Sequence, residues 1–204
     1  MQTLVLAADT GGHVTAVDTH LPFLATLKQT ARARDVAGRI AALNASMRAL
    51  PFRAGTFDLI WAEGAVYIIG FERGLTEWRR LLKPGGHLAV SELSWLRRNP
   101  PDEPARFWES AYPEMRHIDE NLAAIRAAGY SEADHFVLPP SSWWTGYYGP
   151  LEQRIVSLRA TYRGDADAIR QLDEIGEQIA MYREFSDWYG YVFHVMRRDT
   201  RDRA

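Results

Sequence analysis

The stretch Phe71-Glu72-Arg73-Gly74-Leu75-Thr76-Glu77-Trp78-Arg79-Arg80-Leu81-Leu82-Lys83-Pro84-Gly85-Gly86-His87-Leu88-Ala89-Val90-Ser91-Glu92 decides the fold class. Phe71, Leu75, Trp78 and Leu82 recur at helical spacing and predict a helix with one apolar stripe. Lys83 falls in its last turn, and Pro84-Gly85-Gly86 is expected to end it. His87 to Glu92 then reads as a strand. Upstream, Phe57-Asp58-Leu59-Ile60-Trp61-Ala62 is a second strand, whose apolar run suits a parallel sheet covered on both faces.

The same alternation continues outward. An N-terminal helix is stopped by Gly11-Gly12. A short strand, His13-Val14-Thr15-Ala16-Val17, leads to Asp18. A helix opens at Pro22, with Phe23, Leu24 and Leu27 on its apolar face, and runs to about Arg34. Residues 40–45 form another strand. Strand and helix alternating at these intervals predict a doubly wound, mostly parallel α/β sheet. Beyond Trp95 the pattern loosens. Helices are expected over residues 105–111 and 119–128, and a strand over 135–138. An aromatic loop carrying Trp143, Trp144, Tyr147 and Tyr148 follows, then helices over 151–162 and 166–183. Residues 190–196 make a closing strand, and residues 197–204 a frayed charged tail.

Composition narrows the function. The chain has 204 residues, 24 Lys+Arg against 26 Asp+Glu, and no cysteine. One globular domain is expected. The absence of cysteine excludes a disulfide scaffold, a thiolate zinc site and a catalytic cysteine, and it fits a reducing, cytoplasmic compartment. The balanced charge gives no footprint for nucleic acid. No apolar run in the sequence is long enough to span a bilayer. The histidines show no metal-ligand spacing, so no metal is expected. All basic residues except Lys28 and Lys83 are arginine, which leaves no Tyr-x-x-x-Lys pair for a nicotinamide-type oxidoreductase.

Chemistry concentrates at predicted strand ends. Asp18 stands where an acidic residue accepts hydrogen bonds from ribose hydroxyls, or else serves as a helix cap or surface carboxylate. Glu63, Tyr67, Glu92 and His117 are the candidate proton acceptors; His117 faces either a pocket or solvent. Trp95, Trp143, Trp144, Tyr147 and Tyr148 would either line an apolar acceptor pocket or pack the later helices onto the sheet. The cluster Trp188-Tyr189-Gly190-Tyr191 reads as packing for the last strand.

Three units taken together resemble the class I S-adenosylmethionine-dependent methyltransferases, in particular the ubiquinone/menaquinone-biosynthesis-like group that acts on small molecules. They are Val14-Thr15-Ala16-Val17-Asp18; Leu50-Pro51-Phe52 with Phe57-Asp58-Leu59-Ile60-Trp61; and Leu81-Leu82-Lys83-Pro84-Gly85-Gly86-His87-Leu88-Ala89-Val90-Ser91-Glu92. The resemblance is strong over residues 1–95 and looser to the closing strand, which resembles that fold's antiparallel last strand. It implies a Rossmann-like sheet and S-adenosyl-L-methionine as cofactor. It places Asp18 at the ribose, Thr19 and His20 near the adenine, and Ser46 and Met47 on the adenine loop. Many relatives carry Asp where this chain has Ser46, whose hydroxyl makes a weaker bond. Glu63, Gly64 and Ala65 would lie beside the methionine part. Residues 1–95 would form the cofactor half, 96–187 the substrate side, and the acceptor would be a small molecule. A homodimer is one compatible assembly.

The family's first strand and its Gly-x-Gly-x-Gly loop have no counterpart here, since Met1-Gln2-Thr3 resembles the residues just after those glycines. The expectation is a chain lacking that strand and impaired in activity. The alternative is a non-catalytic methyltransferase-like binding or assembly protein.

Overall fold

The protein is described by a computed structural model covering residues 2–200, with the side chains of residues 132 and 133 outside the description. Expectations for Met1 and for residues 201–204 of the tail therefore lie outside the described residues. The backbone gathers into two compact units, residues 1–53 and 54–204.

The smaller unit is α1 (Gln2–Thr10), β1 (Val14–Asp18), α2 (Leu21–Ala33), a single tight turn and β2 (Ile40–Asn44). Leu4 and Ala7 bury the inner stripe of α1; Leu24 and Ala31 do the same for α2. β1 and β2 pair in parallel, from Val14 opposite Ile40 to Asp18 opposite Asn44. Parallel neighbours need a crossover, and α2 supplies it.

The larger unit contains β3 (Phe57–Ala62), α3 (Phe71–Arg79), β4 (Leu82–Trp95), α4 (Asp102–Ala111), β5 (Arg116–His117), α5 (Ile118–Ala127) and β6 (Tyr130–Val137). It continues with α6 (Pro140–Trp143), a π-helical turn (Trp144–Tyr148), α7 (Gly149–Thr161), α8 (Ala166–Phe185) and β7 (Tyr189–Arg198). The strand order is β3-β4-β7-β6, with β5 paired to the end of β4. β3 and β5 run parallel to β4, whereas β7 is antiparallel to both of its neighbours. This is the expected mostly parallel, Rossmann-like architecture with an antiparallel closing strand.

Four local expectations are corrected. Pro84-Gly85-Gly86 does not separate helix from strand. α3 ends at Arg79, and β4 already pairs at Leu82, opposite Phe57. The glycines form an irregularity inside the strand: Gly85 has φ +77°, and a side chain on Gly86 would press on the carbonyl oxygens of Phe57 and Asp58 at 3.1 Å. Lys83 is therefore not a helix terminus; its ammonium bonds both Asp58 oxygens at 2.8 and 2.9 Å. The segment around Trp143–Tyr148 is helical rather than a loop, and runs from α6 into α7 with Trp143 stacked on Tyr182 and Tyr191. β6 begins at Tyr130, directly after Gly129, rather than at residue 135. Finally, β7 outlasts residue 196: Arg198 Nη1 donates to the carbonyls of Leu82 at 2.6 Å and Arg79 at 3.2 Å, which ties this part of the expected tail to the sheet.

Leu88, Val90 and Met196 form the buried centre of the sheet, and Phe71, Leu75 and Trp78 of α3 are buried as predicted. A second core is aromatic. Trp108, Trp143, Tyr148, Tyr182 and Tyr189 pack with Leu93 beside the carboxyl half of β4.

Candidate functional site

In the smaller unit the chemistry sits at the carboxyl end of β1. Asp18 turns its Oδ1 back to accept the His20 backbone N–H at 2.7 Å. Asn44, level with it on β2, donates from Nδ2 to the carbonyls of Asp18 and Thr19, both at 3.1 Å. These bonds fix the turn and leave Asp18 Oδ2 without a partner among the described residues. Thr19 and His20 are exposed, and the His20 ring meets Phe23 edge-on at 4.4 Å. Ser46 Oγ accepts the Arg48 N–H at 3.2 Å and so closes the turn that carries Met47. Asn44 is a residue that sequence reasoning missed; its level position opposite Asp18 becomes legible only once the register is known.

In the larger unit β3 ends at Ala62, and β4 continues past it for five residues beyond their last pairing. Gly64 makes the turn that follows β3. Its φ of +59° suits glycine, and its N–H donates to Ser91 Oγ at 2.8 Å. Glu63 is exposed and receives only a long contact, 3.5 Å, from Trp61 Nε1. Ala65 leads into the short turn carrying Tyr67, which is exposed.

Next to Ser91 stands Glu92, only 2% exposed. Tyr112 Oη, from the residue after α4, donates to Glu92 Oε1 at 2.6 Å. Burial pushes the Glu92 carboxyl up to about 7; the Tyr112 bond opposes that rise, nearby Glu114 adds to it, and Arg116 opposes it. Tyr112 itself is raised above the usual phenol range, first by burial and then by the Glu92 charge. The Tyr67 ring stands 6.4 Å from that of Tyr112, edge-on. Tyr191 Oη lies 3.9 Å from where a Gly64 side chain would begin. Glu92, Tyr67 and the Gly64 turn thus share one end of this unit, together with two residues that sequence reasoning missed, Tyr112 and Tyr191.

The other candidates separate from this cluster. His117 is half-buried in β5 opposite Trp95, and its backbone N–H donates to Glu120 Oε2 at 2.8 Å, so it caps α5. Trp95 packs edge-on against Tyr189 at 6.1 Å. Trp143 is buried, stacked on Tyr182 at 4.4 Å and on Tyr191 at 4.8 Å. Tyr148 is buried against Trp143 at 5.3 Å. Trp144 lies beneath Arg183, 4.9 Å from its guanidinium carbon. Tyr147 is exposed. Among the described residues no group of three or more His, Cys, Asp or Glu could hold a metal ion, and no helix is long and apolar enough to cross a membrane.

Comparison with known proteins gives the same direction. Residues 1–90 match the family described as "Methyltransferase domain". Over 93 residues the chain is 36% identical to the ubiquinone/menaquinone biosynthesis C-methyltransferase UbiE of Ruegeria sp., a match covering 42% of this chain and 34% of that protein. Over 154 residues it is 29% identical to the sterol 24-C-methyltransferase ERG6B of Gibberella zeae, covering 70% of this chain and 40% of that one. The chain thus spans two-fifths or less of the length of these curated relatives. Among solved structures, a SAM-dependent methyltransferase from Geobacter sulfurreducens in complex with S-adenosyl-L-homocysteine superposes with a TM-score of 0.79 at 18% identity, covering 95% of this chain and 78% of that chain. The [4+2]-cyclase SpnF superposes with a TM-score of 0.70 at 24% identity, covering 97% of this chain and 70% of that chain. These structural likenesses show the fold, which by itself hosts more than one chemistry.

Proposed function

We propose that the chain is a class I S-adenosylmethionine-dependent methyltransferase, which transfers a methyl group from S-adenosyl-L-methionine to a small-molecule acceptor. The observation that carries the proposal is Asp18. Its carboxylate stands at the carboxyl end of a parallel strand, and its turn is held by Asn44. Its Oδ2 has no partner among the described residues, as a carboxylate that receives ribose hydroxyls requires. In this reading Ser46 and Met47 border the adenine, with Thr19 and His20 beside them. The Gly64 turn, with exposed Glu63 before it and Ala65 after it, borders the methionine part. The absence of a Cβ on Gly64 lets its backbone approach a ligand closely.

The cofactor supplies a methyl group already activated by its sulfonium charge. The protein's remaining task is to align the acceptor with that carbon and to exclude water. Exposed Tyr67 and Tyr147 offer amphipathic rings suited to an apolar acceptor with a polar tip. A cytoplasmic setting belongs to the same reading, supported by the lack of any cysteine.

The test is calorimetric titration with S-adenosyl-L-homocysteine, paired with a screen of small acceptors using labelled cofactor. Asp18→Ala is expected to weaken binding by roughly ten- to a hundredfold, the cost of a hydrogen bond to a charged group. Unchanged affinity in that variant overturns the assignment. Binding without transfer to any acceptor favours the non-catalytic binding protein.

A further inference from the structure

Glu92 is the one acidic side chain among the buried residues that the structure describes. A buried carboxylate costs free energy unless it is satisfied. Here only half of it is: Tyr112 Oη occupies Oε1, and Oε2 has no partner among the described residues. The carboxylate stands on β4 beyond the last residue paired with β3, beside the Ser91 hydroxyl that holds the Gly64 turn. Among the described residues no salt bridge, the ordinary structural use of a buried acid, engages it. Nearby Arg116 instead places Nη1 2.6 Å from Glu72 Oε1.

We propose that Glu92, oriented by Tyr112, is the proton acceptor for a phenolic small molecule whose hydroxyl oxygen receives the methyl group. This rests on the methyltransferase reading above. The acceptor's hydroxyl donates to Oε2. As oxygen attacks, the O–C bond forms and the O–H bond breaks, with its proton passing to Oε2. The carbon–sulfur bond breaks with its electron pair left on sulfur, so charge and atoms balance without a further reactant. The surroundings suit a planar phenol. Tyr67 and Tyr112 present rings edge-on to one another, and Tyr191 lies beside the Gly64 turn. The groups acting electrostatically on Glu92 are Tyr112, Glu114 and Arg116, and Glu92 in turn acts on Tyr191 of β7. Burial holds the carboxyl near neutrality, where a base and its conjugate acid are both accessible. Glu63, by contrast, is exposed and receives only a 3.5 Å contact from Trp61, and His117 stands apart at the start of α5.

The experiment uses the full chain, with 4-nitrophenol as the probe. Infrared difference spectra of wild type minus Glu92→Gln isolate the Glu92 carboxyl stretch across pH. The band is expected to titrate near neutrality and to shift its midpoint when 4-nitrophenol is added. Glu92→Gln is expected to bind 4-nitrophenol at least about tenfold more weakly, while S-adenosyl-L-homocysteine affinity is retained. Tyr112→Phe, which keeps the ring, should move the midpoint of the band and leave the fold intact. A midpoint indifferent to 4-nitrophenol, or equal probe affinity in wild type and Glu92→Gln, overturns the proposal. So does a wild-type chain that does not bind the probe. Failure of S-adenosyl-L-homocysteine to bind wild type overturns the underlying methyltransferase reading, a result separate from the probe titration.

Discussion

Both sheets contain parallel strand pairs, yet they bury very different amounts of themselves. In the smaller unit, β1 and β2 contain no fully buried residue, and the buried apolar side chains among its described residues, Leu4, Ala7, Leu24 and Ala31, all belong to helices. In the larger unit, β4 buries every residue from Leu88 to Ser94, and β7 buries Tyr189, Val192, Phe193, His194 and Met196. Even there the cover is uneven: Leu59 and Trp61 of β3 are 39% and 40% exposed, and Phe136 of β6 is 49% exposed. Apolar sequence alone does not make a core. Stabilisation follows the area removed from water, so it concentrates where a strand has neighbours on both edges and cover on both faces.

The largest expected effect is in hydrogen exchange. Amides of Val90 and Phe193 should be protected at least about a thousandfold more than those of Ala16 and Leu43, because local opening of β1–β2 exposes little new apolar surface. Equal protection would break the contrast between the sheets. Substitution follows. Leu88→Ala, at a fully buried site, is expected to cost about 2–5 kcal/mol in urea denaturation, against about 1 kcal/mol for Val17→Ala at a half-buried one.

A third test uses pH. His194 is fully buried in β7, stacked near His135 at 6.0 Å, and burial, with His135 second, lowers it to about 4. The folded pKa lies below the unfolded value, so the neutral ring favours folding. That contribution is complete above about pH 6.5 and is lost as pH falls towards 4, on the order of 3 kcal/mol. His194→Leu should remove most of this slope, as read by denaturation midpoints at several pH values. If the variant keeps the wild-type slope, the acid sensitivity belongs elsewhere. The smallest effect is at the surface. Lys83→Ala breaks the exposed contact with Asp58 and should change stability by less than about 1 kcal/mol.

The alternation of apolar runs with Gly and Pro was enough to place β1, β2, β3 and the central part of β4 within a residue or two. Where it misled, a tertiary bond had outweighed a local signal. Pro84-Gly85-Gly86 reads as a stop, yet Phe57 pairs with Leu82 and carries the strand past it. The Trp143–Tyr148 run reads as a loop, yet it is helical, with Trp143 stacked on Tyr182 and Tyr191. In the candidate site, Asp18 and the Gly64 turn were legible because strand ends are marked by residue type. Tyr112 was not, because nothing in Ala111-Tyr112-Pro113 signals a partner twenty residues upstream.

Sequence alone therefore determined the fold class and the succession of the first four strands along the chain, since apolar periodicity and short motifs at strand ends are local properties. Tertiary structure decided which acid is buried, which aromatics belong to the core and which reach solvent. Burial and hydrogen-bond partnership are properties of a packed neighbourhood, so Glu63 and Glu92, alike in sequence, become an exposed carboxylate and a half-satisfied buried one.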